Sequence, residues 1–88
     1  MTVLVDEPIW PFRDRLWCHL VSDTSYDELH ALAQQLGIPR RAFQGDHYDV
    51  PAEMRDDAIT LGAMPVTGRE LITRLRDSGL RRPRRPGG

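Results

Sequence analysis

Apolar positions along this chain change period several times, and each change marks an element. Thr2 to Val5 is a short β-branched run stopped by Asp6-Glu7-Pro8, which predicts a first strand. Residues 8–15 hold two prolines, Pro8 and Pro11, and read as loop. Leu16 to Ser22 then alternates, with Leu16, Cys18 and Leu20 on one face and Trp17, His19 and Val21 on the other. Both faces are apolar except at His19, so this strand is expected to be covered on both sides. The connection between the two strands is shorter than the dozen or so residues of a parallel crossover. Antiparallel pairing, or strands that are not neighbours, is the expectation.

A helical period follows. Ser25 with Glu28 three residues on is a capping-box pattern, and Leu29, Leu32, Ala33 and Leu36 recur at i, i+3, i+4 and i+7 before Gly37 stops the helix. His30 falls at the edge of that apolar stripe. Ile38-Pro39 leads into a polar stretch in which Gly45-Asp46 marks a turn and His47 to Val50 a brief strand. A second helix is expected from Pro51 or Ala52 to Thr60 or Leu61, with Met54, Ala58 and Leu61 buried and Gly62 as its stop. Ala63 to Val66 reads as a short strand whose Pro65 implies an edge or a bulge. Thr67-Gly68-Arg69-Glu70 is a second capping box, with Val66 placed to staple onto Leu71 and with Leu71, Ile72 and Leu75 facing inward. The pattern gives an α/β fold: a small single domain of three or four short strands and three helices over residues 1–76. A disordered basic C-terminal tail is expected over residues 77–88, where Arg, Pro and Gly leave little to bury.

Composition narrows the classes. A chain of 88 residues has room for one small core. The single cysteine, Cys18, excludes an internal disulfide and suits a reducing compartment. No apolar run reaches the roughly 20 residues of a membrane span. The first residues meet Asp6 and Glu7 without a cationic leader, so a cytoplasmic protein with no signal peptide and no membrane partner is expected. All cationic residues are arginine: eight against twelve acids in residues 1–76, and four against one acid in residues 77–88. A mildly acidic body thus carries a basic end.

The candidate chemistry lies in histidines and carboxylates. Asp6 directly follows a first strand, where α/β enzymes that handle phosphate often hold a cation; its structural alternative is to bond loop amides near Pro8. His19, His30 and His47 come from three separate elements, as metal-binding imidazoles commonly do. No Cys-x-x-Cys or His-x-x-x-His spacing accompanies them, and Cys18 and His19 point to opposite faces, so they cannot share one ion. A core histidine held by a carbonyl or carboxylate is the other reading of His19, and an ordinary helix-edge residue that of His30. His47 and Asp49 project from one face of an extended segment, able to hold a cation or to act as acid and base. The candidate metal set is therefore Asp6, His19, His30, His47 and Asp49 around a divalent ion, with His47, Asp49 and Asp6 as candidate catalytic groups. Asp23 reads as a helix-capping or turn residue. Arg40 and Arg41 are the candidate phosphate-binding groups, with Phe43, Gln44, Tyr48 and Trp10 beside them to stack a nucleotide or nucleic acid. The alternative is a solvated loop with Phe43 and Tyr48 in the core. An exposed Trp10 or Phe12 would suit a homodimer contact.

The segments Val3-Leu4-Val5-Asp6, Cys18 to Thr24, Glu28-Leu29-His30-Ala31, His47-Tyr48-Asp49-Val50 and Leu61-Gly62-Ala63 through Val66-Thr67 carry a resemblance. In that order, across residues 1–76, the chain resembles the small proteins of actinobacteria and their phages grouped as domain of unknown function 4031. That family often has two aspartates after the first strand; here the second position is Glu7. The resemblance supports the fold boundaries and these positions, and it implies no reaction. Two functional readings follow from the residues: a small binding module with a His/Asp cluster, or a metal-dependent phosphate-ester hydrolase or nuclease. The second requires Asp6, His19, His47 and Asp49 to converge, since ligand atoms sit about 2.0–2.2 Å from one ion.

Overall fold

The long alternating strand organises the sheet. In the computed structural model, which describes residues 2–81, strand β3 (Arg15–Ser22) is paired along both edges. On one edge lie β1 (Val3–Val5), from Val3↔Ser22 to Val5↔Leu20, and β2 (Trp10–Phe12), from Trp10↔Trp17 to Phe12↔Arg15, both antiparallel. On the other edge lies antiparallel β4 (Tyr48–Pro51), from Trp17↔Pro51 to Leu20↔Tyr48. A two-residue β5 (Met64–Pro65) runs parallel to β1 and carries its proline on the sheet edge. The mixed α/β class is as expected, with five strands rather than three or four.

The additional strand is β2, which falls in the stretch read as loop. Pro11 is tolerated there because β2 is an edge strand and its missing N–H breaks no second ladder. Arg13 and Asp14 turn the chain with φ of 52° and 62°, the left-handed pair that a two-residue hairpin needs. Arg-Asp is not the usual Asn-Gly signal, so the hairpin was masked in the sequence. The registers of β1 and β2 against β3 are offset by two residues, so the segment between them bulges outward opposite Cys18 and His19.

Helices α1 (Tyr26–Gln35) and α2 (Arg55–Thr60) cover one face of the sheet, and α3 (Gly68–Ser78) covers the other. On the first face Leu29, Leu32, Ala33 and Ala58 pack against Cys18, Leu20, Tyr48 and Val50. On the second, Leu71 and Leu75 pack with Val66 against Leu4 and Val21. The C-terminal half of the central strand is covered on both sides, as its alternation required, whereas Leu16 at the other end is left 46% exposed. Leu61 departs from expectation: α2 ends at Thr60, Gly62 turns away at φ 118°, and Leu61 is left 39% exposed.

Both N-cap hydroxyls accept as the capping-box pattern requires. Thr67 accepts from the Glu70 N–H at 3.1 Å, and Ser25 from the Glu28 N–H at 3.2 Å. The Glu28 carboxylate does not return to the Ser25 N–H. It accepts from the Ser22 hydroxyl, which in turn accepts from the N–H groups of Thr24 and Ser25. Asp23 ties three elements together: it accepts from the Thr2 N–H, the Thr24 hydroxyl and Arg74 of α3. Burial pushes its carboxyl up, but these donors and the Arg74 charge outweigh burial and hold it below the usual carboxylate range. Helix α3 runs to Ser78, Gly79 ends it in the left-handed conformation, and the Leu80 carbonyl accepts from the Tyr26 hydroxyl. Residues 82–88 of the expected tail lie outside the described residues. Among the described residues, no helix is long and apolar enough to cross a membrane.

Cys18 is fully buried, and its thiol faces the Val50 carbonyl at 3.4 Å. Burial, reinforced by the Asp6 charge and opposed by Arg55, pushes its pKa up to about 11. The native protein should therefore resist thiol-reactive reagents at neutral pH and label at one thiol per chain only in denaturant. Rapid labelling of the folded protein would show that β3 and β4 part readily.

Candidate metal centre

Pairing places one row of polar side chains across three adjacent strands. His19 stands opposite Asp49 on β4, so the two share a sheet face. On the other side, Asp6 continues the β1 register, its N–H donating to the His19 carbonyl at 3.2 Å. His47 lies two residues before Asp49 and reaches the same face. The side chains of Asp6, His19, His47 and Asp49 thus converge, on the face covered by α3.

Each imidazole is held from behind by its own carboxylate. Asp6 accepts the His19 backbone N–H at 2.6 Å on one oxygen and meets His19 Nδ1 at 2.8 Å with the other. Asp46, itself buried, meets His47 Nδ1 at 2.7 Å. Carboxylates accept, so both Nδ1 atoms are the donors, and in the neutral rings the two Nε2 atoms then carry their lone pairs toward Asp49. Asp49 Oδ1 is 3.2 Å from His47 Nε2 and 3.9 Å from His19 Nε2. The nearer contact is close enough for charge attraction but makes no aligned hydrogen bond, and this buried oxygen has no hydrogen-bond partner among the described residues. Three electron-rich atoms, all within 4.8 Å of one another, therefore face a common gap.

The neighbouring charges show in the protonation of His47. The Asp49 carboxylate beside it raises its pKa above the ordinary 6.5, against the opposing effect of burial and with Asp46 adding to the rise. A proton is one cation that relieves the crowding; a metal ion is another. The remaining surroundings are partly apolar. A cavity of about 360 Å³ opens beside Asp6, His19 and His47, walled by Leu71, Ile72 and Leu75 of α3, with Arg81 also lining it. Arg55 Nε donates to the Asp6 carbonyl at 2.9 Å and fastens the bulge that carries Asp6.

The other candidate residues lie elsewhere. Tyr48 and Asp49 are consecutive on β4 and point to opposite faces. His30 is on the Tyr48 side, its Nδ1 2.7 Å from the Tyr48 hydroxyl and its ring 4.6 Å from that of Phe43. Burial, then the Arg40 charge, lowers the His30 pKa against the opposing pull of Asp27. Arg40 and Arg41 form an exposed 3-10 turn, and Arg40 lines a cavity with His30, away from the His19–Asp49 row. Phe43 and Tyr48 pack against the first core. Nothing in the sequence singles out Asp46 or Arg55: Gly45-Asp46 reads as a turn, and Arg55 sits on a helix with no motif around it.

A family model described as a protein of unknown function (DUF4031) matches residues 3–78, which run from the first residue of β1 to the last of α3. No curated protein and no solved structure matches the chain.

Proposed function

The chain belongs to the DUF4031 family of proteins of unknown function, and we propose that it is a metal-binding module whose ion sits between His19 Nε2, His47 Nε2 and Asp49 Oδ1. The observation that carries this reading is the partnerless Asp49 oxygen facing two imidazole nitrogens whose opposite ends are already held by carboxylates. Donors about 2.1 Å from one ion stand roughly 3.0–3.4 Å apart for angles between octahedral and tetrahedral. The His47–Asp49 separation of 3.2 Å falls within that span, and the His19–Asp49 separation of 3.9 Å needs a small inward shift. Two imidazoles and one carboxylate suit zinc, iron, cobalt or manganese better than calcium or magnesium, which favour all-oxygen sets. Asp6 and Asp46 act as positioning residues that hold each ring in the correct tautomer.

An enzymatic role for the same centre is favoured by its openness. Structural zinc sites are closed by four protein ligands. Here the three donors are each a quarter to a third exposed; His19 and His47 border the cavity walled by α3, and Asp49 lines a neighbouring one beside Trp10 and Trp17. Such an ion, when bound, supplies Lewis acidity and a water of lowered pKa. The chain's own part is to fix the donors, to present an apolar wall from α3 and to offer the Arg81 guanidinium to an anionic substrate such as a phosphate ester.

Calorimetric titration of the full chain with Zn²⁺, Co²⁺, Mn²⁺ and Mg²⁺ tests the reading. One ion per chain with a rise in melting temperature is expected for the first three, and neither heat nor thermal shift with any of them would overturn it. Asp46→Asn should weaken zinc binding about 10–100-fold, the usual cost of losing a ligand's outer partner. An unchanged affinity would show that His47 orients itself without Asp46.

A further inference from the structure

Beyond the metal centre, the bulged hairpin exposes an aromatic surface that the fold does not use. Trp10, Phe12 and Trp17 line a second cavity of about 490 Å³ together with Gln44 and the metal-facing Asp49. We propose that this surface seats the bases of a single-stranded nucleic acid whose phosphodiester backbone reaches the metal centre. The inference rests on the metal-binding reading above.

Four observations carry it. First, Trp10 stacks on His19 at 5.1 Å and lies within 9° of parallel to Phe12 at 6.3 Å, so a ladder of flat faces leads away from a proposed ligand. Trp10 and Phe12 remain 40% and 51% exposed. Bases stack on such faces without sequence preference. Second, the Trp17 ring is held by its Nε1–H donating to the Phe12 carbonyl at 2.8 Å, so the platform is pre-ordered. Gln44 offers an amide donor and acceptor to a base edge. Third, guanidinium groups stand at the far end: Arg13 lies 5.3 Å from the Phe12 ring centre and Arg15 5.9 Å from that of Trp17. Arg15 also pairs with Glu53 at 3.0 Å, but both groups are at least half exposed and the pair is readily exchanged for a phosphate. Fourth, from His19 to Arg15 is four strand residues, about 13 Å at a rise of ~3.3 Å each. That track is longer than one nucleotide needs, which favours a strand over a free mononucleotide.

Charge sets a condition on this binding. Asp6, Asp46 and Asp49 repel phosphate at the near end of the track, and a divalent ion offsets most of that charge and gives a phosphate oxygen a direct ligand position. Oligonucleotide affinity should therefore require the metal.

The test uses the full chain and a fluorescein-labelled ten-residue oligothymidylate, read by anisotropy with and without one equivalent of Zn²⁺. Zinc uptake of every variant is followed separately by calorimetry. Binding is expected only with zinc, with quenching of emission from the two tryptophans, both of which line this cavity. Trp10→Ala and Phe12→Ala should each weaken it about 5–150-fold, the range that loss of one stacked base gives. The Phe12 ring meets those of Trp10 and Trp17, whereas Trp10 itself stacks on His19, so the Phe12 variant reports on the platform even if Trp10→Ala disturbs the ligand. Zinc uptake without any anisotropy change would overturn this inference and leave the metal-binding reading standing; failure of zinc uptake would remove both. Thymidine monophosphate competing as strongly as the oligomer would overturn the strand assignment. A concentration-dependent dimer in sedimentation, lost in Phe12→Ala, would instead assign the aromatic face to a second copy of this chain.

Discussion

His47→Ala is expected to abolish measurable zinc binding while leaving the protein folded. One of only three donors disappears, and the two that remain, His19 Nε2 and Asp49 Oδ1, stand 3.9 Å apart, farther than the 3.2 Å between His47 Nε2 and Asp49 Oδ1. The loss should lie well beyond the ~10–100-fold that removal of an outer partner costs. The pH dependence gives a second, independent check. His47 has a folded-state pKa above its unfolded value, so it contributes stability to the metal-free protein that is fully present below about pH 6.5. That contribution is lost as pH rises through the folded pKa. Zinc binding needs the same nitrogen deprotonated and so strengthens over the same interval. Melting temperature measured from pH 5 to 8.5 should fall with rising pH for the metal-free protein relative to His47→Ala, while the increment produced by zinc grows. If His47→Ala still takes up one zinc with unaltered affinity, the ion sits elsewhere. If wild type and variant share one pH profile, the closeness of Asp49 and Asp46 to the ring has no thermodynamic weight.

What the sequence disclosed follows from how local each signal is. Helices α1 and α3 announced themselves because a cap and an apolar stripe are properties of a dozen consecutive residues, and Ser25, Thr67, Leu29, Leu71 and Leu75 all act as that pattern required. The identity of reactive groups was legible for the same reason: Asp6, His19, His47 and Asp49 are conspicuous residue types at the ends or faces of short strands. Their arrangement was not. Asp6 and Asp49 flank His19 only because β1 and β4 choose one register on opposite edges of β3, and a slip of one residue would turn either carboxylate to the other face. Register is a property of two distant segments at once. Asp46 shows the complementary failure, since a Gly-Asp pair satisfies a turn so well that nothing pointed to a buried carboxylate behind an imidazole. The arginines diverge likewise: Arg40 and Arg41 adjoin the polar stretch in sequence, whereas Arg55 and Arg81 adjoin the site in space. The hairpin arm β2 was hidden by Pro8 just before it and Pro11 within it, although an edge position with a two-residue turn accommodates Pro11.

The costliest replacement for stability is expected to be Leu71→Ala. Leu71 is 1% exposed, and its side of the sheet is closed by α3 alone, over a buried cluster of only five residues. Truncating a leucine in such a place removes its burial and leaves a void that the rigid strand behind it cannot fill, which costs about 2–5 kcal/mol. A domain of this length has a total stability of roughly 4–13 kcal/mol, so the loss is a large fraction of the whole. At about 4–8 °C per kcal/mol for a domain of this size, melting should fall by ten to several tens of degrees. Leu61→Ala supplies the contrast: the apolar pattern marks both leucines, but Leu61 lies beyond the end of α2 and is exposed. Its truncation should stay within about 0.5 kcal/mol. Leu71 borders the cavity beside His19 and His47 without being a metal donor, so folded Leu71→Ala should bind zinc with wild-type affinity at a temperature well below its melting point. Thermal and urea denaturation of the two variants decide the matter. Near-wild-type stability for Leu71→Ala would mean that α3 does not close this face of the sheet, and the wall it gives the metal cavity would be lost with it.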